Sequence, residues 1–360
     1  MKNINSTKDH HITQPFSSKK QKIFFITIIC FFISLPMLMH HFELYPDKVE
    51  LYRSIPDNYG PYRSFSNEIF KSKDTLDLLF VGSSLLWTGI DDHYISKMLS
   101  KIHDSDLNVK LFGINWRGED ILYYIIRDII ENRPVKRLIL SMPTPKHNDK
   151  NIHNVLYRFL QYPNYKESIL GLNPIYSFIY YAASVLSAPR QLITIFKKEI
   201  AFSNYENFNQ TGSYKVNSGF NGAPFKYINN KKPNYFPLEN TMYSLDGSNF
   251  KFQGPEINGY QKHYIGKIFE LLKKNNIKTA IIHIPKYSER ESDKISERVC
   301  WPKTFDTEVD IIGIRPNELF ESMSDDSIKY FYYDEHLNSN GNEYFTASIF
   351  PAIAEFYEKD

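Results

Sequence analysis

Short runs of consecutive apolar residues, alternating with segments whose apolar positions recur three and four residues apart, set the rhythm of this chain. Leu78, Leu79, Phe80 and Val81 form the first run, as expected for a strand covered on both faces. Gly82-Ser83-Ser84 breaks it into a helix, and Asp91 and Asp92 can cap another through about Lys101. A second strand is predicted over 108–112, followed by a helix with Ile121, Leu122, Ile125, Ile126, Ile129 and Ile130 at helical spacing. A third strand is predicted over 135–141. After a long interruption, a helix over 259–275 with Ile265, Ile268, Phe269 and Leu272 on one face leads into a fourth strand over 277–284, in which His283 reads as a core or rim residue. The fifth is predicted over 328–332, and a last helix turns Phe345, Ile349, Ile353 and Phe356 inward. This alternation predicts an α/β fold, a flavodoxin-like doubly wound parallel sheet of about five strands.

Two stretches depart from the rhythm. Residues 23–39 are almost uninterruptedly apolar over about 17 positions, the short end of what spans a bilayer, and Lys19, Lys20 and Lys22 precede them. A cleaved signal peptide or a buried core helix would share that composition, but bulky Met37, Leu38, Met39, His40 and His41 argue against processing. The segment 19–41 is therefore expected to be a single transmembrane anchor. The lysines on its N-terminal side place the polar tail 1–18, expected to be disordered, in the cytoplasm and the rest of the chain outside it, on a bacterial inner membrane. Residues 42–75, punctuated by Pro46, Pro56 and Pro61, read as a linker that packs in part on the domain over 76–360. The second departure, 147–258, is an insertion too long for a structureless loop and is expected to form a subdomain or lid. Its residues 174–189 make an apolar helix candidate, buried or interfacial, and 202–252 are rich in Asn, Gly, Tyr and Lys. Aromatics with amides could line a polysaccharide groove there, and irregular structure over the core has the same composition.

Composition narrows the chemistry. The 360 residues hold 43 Lys+Arg against 41 Asp+Glu, a balance that offers no basic face and excludes nucleic acid as an expected partner. Two cysteines, Cys30 and Cys300, are too few for a disulfide framework or a structural zinc site. No His-x-x-x-His stands ready for zinc, and Gly82-Ser83-Ser84 is not followed by the Gly-Lys-Ser/Thr of a phosphate-binding loop, so no cofactor is expected.

What remains is a serine, a histidine and an acid. Ser84 is predicted at a strand's carboxyl edge and the first turn of a helix, where it could cap the helix or attack an acyl carbon. In the segment Tyr332-Tyr333-Asp334-Glu335-His336-Leu337-Asn338, Asp334 and His336 supply the acid and base that a serine nucleophile needs. Gly-x-Ser after the first strand and Asp-x-His before the last helix resemble the first and last blocks of the SGNH/GDSL hydrolase superfamily. Asp334 to Gly341 is similar to the ending of its membrane-anchored branch, which includes the alginate O-acetyltransferase and teichoic acid D-alanine-transfer types.

The resemblance implies Ser84 as nucleophile, His336 as base, Asp334 as its orienter, and the N–H groups of Ser84 and Gly118 as an oxyanion hole. Gly118 matches the second block better than Gly113, and turn chemistry alone would also account for either glycine. The third block departs from the pattern: its usual oxyanion-donating Asn is missing after 135–141, and Asn148-Asp149 comes a few residues late. The implied activity is extracytoplasmic O-acyl transfer or ester hydrolysis, usually of acetyl, on a cell-surface polysaccharide, with a membrane-bound O-acyltransferase as partner. The alternative is a non-catalytic accessory protein that keeps the fold and binds a glycan or a membrane acyltransferase.

Overall fold

The computed structural model describes residues 18–115, 118–141, 153, 155–159, 174–196, 212–216, 259–291, 309–321 and 323–359. Five strands, β1 (Leu78–Gly82), β2 (Val109–Gly113), β3 (Arg137–Ser141), β4 (Lys278–Ile282) and β5 (Asp310–Ile312), form one sheet in the order β2-β1-β3-β4-β5. Every pairing in it is parallel, with Gly82 opposite Gly113 and Val81 opposite both Phe112 and Leu140. The α/β class and the five-stranded parallel sheet expected from the sequence are both present.

The continuous apolar runs arise because each strand is covered on two sides. Leu79, Val81, Leu138, Leu140 and Ile281 point into one core, whereas Leu78, Phe80, Ile139, Ala280 and Ile282 point into the other. Helices α2 (Lys48–Arg53), α3 (Tyr62–Phe70), α6 (Glu119–Asn132) and α8 (Gly259–Lys274) contribute their buried residues to the first core. Helices α4 (Ser84–Gly89), α5 (Asp92–His103) and α11 (Ser339–Glu358) do the same for the second.

The segment read as a linker, 42–75, contributes more than partial packing. Leu51, Tyr52, Tyr62, Phe65 and Ile69 are fully buried in the first core. Asp128 of α6, itself buried, accepts from Lys48 Nζ at 2.5 Å and Tyr52 OH at 2.9 Å, which ties α2 to the sheet domain. Pro56 and Pro61 stand at the starts of short helices and do not interrupt anything.

The fifth strand is not where the apolar pattern predicts it. Residues 325–329 form a short helix, α10 (Asp325–Lys329), which follows another, α9 (Pro316–Leu319); Ser324 caps α10 by accepting from Ser327 N. Tyr332–Tyr333 (β6) then pairs antiparallel with His336–Leu337 (β7) in a hairpin outside the main sheet. Ile328, Phe331 and Tyr332 are buried, so the apolar run is a true core signal, but at that length it does not distinguish strand from helix and hairpin. The neighbour of β4 is instead the three-residue β5.

Of the insertion, the described residues include α7 (Pro174–Phe196) and a strap over 212–216; most of 202–252 and Asn148-Asp149 lie outside the described residues, as does the tail 1–17. The first helix, α1 (Lys19–His41), presents Phe24, Ile26, Phe31 and Ile33 to the surface, and its span over Lys19–Met39 is long and apolar enough to cross a membrane.

Candidate active site

At the carboxyl edge of a parallel sheet, the point where strand order reverses leaves a crevice between neighbouring strand ends, and here that point lies between β1 and β3. Gly82 ends β1 with so little room that a Cβ on it would overlap the Ser141 side chain, at the end of β3. Only glycine lets the two strand ends approach this closely. The Ser83 N–H donates to Ser141 Oγ at 3.3 Å, which fixes the turn. Ser141 thus stands at the end of the third strand, at the point where the resemblance leads one to look for an Asn.

Ser83 is the N-cap of α4 but makes no side-chain capping bond, and Ser84 is the first residue of the helix. Its hydroxyl does not cap either. Ser84 Oγ lies 2.9 Å from His336 Nε2, across 252 residues of sequence, and with Nε2 unprotonated the hydroxyl donates to it.

The imidazole is held by its neighbours. Tyr333 and His336 are paired across the β6–β7 hairpin, whose turn is Asp334-Glu335. Glu335 Oε2 accepts from Ser288 N at 3.2 Å and Ser288 Oγ at 2.7 Å, while Tyr332 OH donates to Pro285 O at 3.1 Å; both contacts fasten the hairpin to the chain after β4. Asn338, fully buried, closes the unit. Its Oδ1 accepts from the N–H groups of Asn340 and Gly341, capping α11, and its Nδ2 donates to Tyr330 O and Tyr332 O. Gly341 packs against Phe331 O so closely that a Cβ would overlap it.

Helix α11 is in turn tied to α4, which carries the serine. Asn342 Nδ2 donates to Thr88 O at 2.8 Å, and Thr346 Oγ1 accepts from Asp91 N at 2.9 Å, all buried. The strap over 212–216 spans the same two elements: Gly212 O accepts from Trp87 Nε1, Tyr214 N donates to Trp87 O, and Val216 O accepts from Ser339 N. Lys215 pairs with Asp91 at 2.6 Å, an interaction that holds the Asp91 carboxyl below its usual range against the opposing effect of burial.

Asp334 and Gly118 are placed differently from the expectation. Asp334 is exposed at the tip of the hairpin, with φ of 53°, a left-handed conformation that Asp tolerates, and no hydrogen bond or ion pair joins it to His336 among the described residues. Gly118 is the N-cap of α6, and its immediate neighbours are Asp120 and His153, not Ser84. The donors nearest to Ser84 in the chain are instead the N–H groups at the start of α4, for which Ser83 supplies no side-chain acceptor.

Beside the serine turn stands a second polar group, more engaged than a plain core or rim residue. His283, at the end of β4, is buried and donates from Nε2 to Glu289 Oε2 at 3.2 Å; its Nδ1 has no partner. It lines, with Ser83, Leu85, Ser141 and Ile284, a small cavity with room for about one water molecule. Burial would raise the Glu289 carboxyl, but the bonds from His283 and from the Lys286 N–H outweigh it and hold the group at about 2.

A carboxyl depressed from 4.5 to about 2 on folding adds stability that is complete above the unfolded value and is lost as pH falls from 4.5 toward 2. The contribution is on the order of 3 kcal/mol. Glu289→Gln is therefore expected to flatten the acid limb of a stability-against-pH curve in that window; an unchanged limb would show that the pair does not form. Among the described residues no group of three or more His, Cys, Asp or Glu could hold a metal ion. Comparison of the chain with protein-family models and with curated proteins finds no match.

Proposed function

We propose that this chain is a membrane-anchored serine acyltransferase or esterase acting on O-acyl groups, acetyl foremost, of a cell-surface polysaccharide. The observation that carries the reading is the 2.9 Å contact between Ser84 Oγ and His336 Nε2 at the carboxyl edge of β1, where the sheet's strand order reverses. A neutral imidazole on a serine hydroxyl is the minimum set for nucleophilic acyl transfer. As Ser84 Oγ bonds to the acyl carbon, its proton passes to Nε2 and then to the departing alcohol. An acceptor hydroxyl, from a sugar or from water, next attacks the acyl-serine and gives its own proton to the same nitrogen, which returns it to Ser84 Oγ as the acyl–oxygen bond breaks, so one histidine serves both halves.

The anchor α1 would hold the domain at the extracytoplasmic face of a bacterial inner membrane, beside a membrane-bound O-acyltransferase that exports the acyl group. The position of Asp334, away from the imidazole, supports a second reading, a non-catalytic accessory protein that keeps the fold and binds the glycan or that acyltransferase.

Full-length protein incubated with an aryl acetate and digested separates the two. An acetyl group on the Ser84 peptide, absent in His336→Ala, is expected. Release of the phenol without acylation of that peptide would refute the nucleophile, and no reaction would leave the accessory reading standing.

A further inference from the structure

Helix α7 lies against the anchor α1 by one face, sets Ala183 against the first core by another, and exposes apolar side chains between them. Tyr181 OH donates to Ile33 O at 2.9 Å, and Ala188 and Leu192 pack with Leu35 and Met39. Ile175, Phe178, Ile179, Leu186 and Ile193 are exposed, with Ile175 at 66%, Phe178 at 70% and Leu186 at 81%. At the helical pitch these five fall within an arc of about 100°, centred about 120° round the helix from Tyr181, Ala188 and Leu192. A continuous stripe of that kind is a surface awaiting an apolar neighbour.

What covers it follows from where it lies. Tyr181 meets Ile33, whereas Ala188 and Leu192, about two and three turns later, meet Leu35 and Met39; the two helices therefore run in the same sense. Ile175, six residues before Tyr181, then reaches about 9 Å further along α1 toward the part whose Phe24, Ile26, Ile28 and Phe31 are bare on the surface. Both helices thus expose large apolar side chains over that stretch. No Asp, Glu, Lys or Arg occurs between 174 and 189, and the first charge in the helix is Arg190.

The contact itself suits a bilayer. Pro36 within α1 cannot donate to the carbonyl four residues back, and its ring crowds that turn; a hydroxyl from a neighbouring helix supplies the adjacent carbonyl with a donor, as spanning helices require where water is absent. We propose that the N-terminal half of α7 is embedded among lipid acyl chains alongside α1, so that the insertion holds the sheet domain at a fixed height on the membrane. The inference rests on the reading of α1 as an anchor.

Full-length protein with Cys30→Ser and Cys300→Ser, reconstituted in vesicles of phosphatidylcholine and phosphatidylglycerol, tests both separately. A bimane fluorophore is attached in turn to Ile175→Cys, Phe178→Cys, Ile28→Cys in α1, and Lys101→Cys on α5. Lipids brominated in their acyl chains are expected to quench the probes at 175 and 178 at least half as strongly as the probe at 28, with iodide in the water reaching only the probe at 101. Quenching at 28 but not at 175 or 178 overturns the proposal and leaves the anchor, whether those probes are open to iodide or shielded by a second copy or another protein. No lipid quenching at 28 either overturns the anchor and the proposal together.

Discussion

His336→Ala is expected to slow acyl transfer from an aryl acetate at least about a thousandfold while leaving the fold intact, because in the proposed reaction Nε2 of this imidazole is the base that meets the Ser84 hydroxyl. Without a base the hydroxyl keeps its proton and is a poor nucleophile at neutral pH. The side chain is half-buried at the surface end of a hairpin, so its removal opens no large core cavity. Asp334→Asn is the instructive companion. An exposed carboxylate with no bond to the imidazole is screened by water, and its loss is expected to cost no more than about tenfold. A loss as large as that from His336→Ala would show that the hairpin tip folds back onto the imidazole during turnover and that Asp334 is its orienter after all.

Asn338→Ala is expected to destabilise the protein by about 3–5 kcal/mol, more than the loss of a helix cap alone would cost. The loss has two parts. The Oδ1 acceptor for the N–H groups of Asn340 and Gly341 disappears, which uncaps α11, and the carbonyls of Tyr330 and Tyr332 lose a buried donor. The bonds to Gly341 N–H and Tyr332 O are buried with Asn338 itself, so those two groups gain no water in exchange. Thermal unfolding of the full-length protein in detergent, compared with wild type, measures the cost. A change under about 1 kcal/mol would mean that the hairpin and the helix start are held mainly by packing.

Much of this architecture is legible in the sequence, because the residues that carry it answer to local rules. The runs Leu78–Gly82 and Arg137–Ser141 announce strands covered on two faces, and Gly82 announces the turn. The closeness of Ser84 and His336 follows from placing both after strands of one parallel sheet. It survives the different position of β5 because His336 lies in the β6–β7 hairpin, which brings it to the serine turn all the same. The signal for α10 is also there, in Ser324 followed by Asp325 and Asp326, a helix start that outweighs a brief apolar run. Residues 42–75 mislead through their prolines, which mark helix starts as readily as linkers. The role of Ser141 is not legible, because it depends on which strand ends become neighbours, and a hydrogen bond across β1 and β3 leaves no periodicity to read; the His283–Glu289 pair, six residues apart, depends on the shape of the turn after β4.

The 252 residues between Ser84 and His336 also bear on timing. Synthesis delivers the hydroxyl, already tethered to α1, long before it delivers the imidazole, and the last four strands of the main sheet come off the ribosome in between. On the proposed reaction, a nascent chain paused anywhere in that interval would carry its nucleophile in an inert form, and reactivity would arrive in one late step when the β6–β7 hairpin closes over the sheet edge.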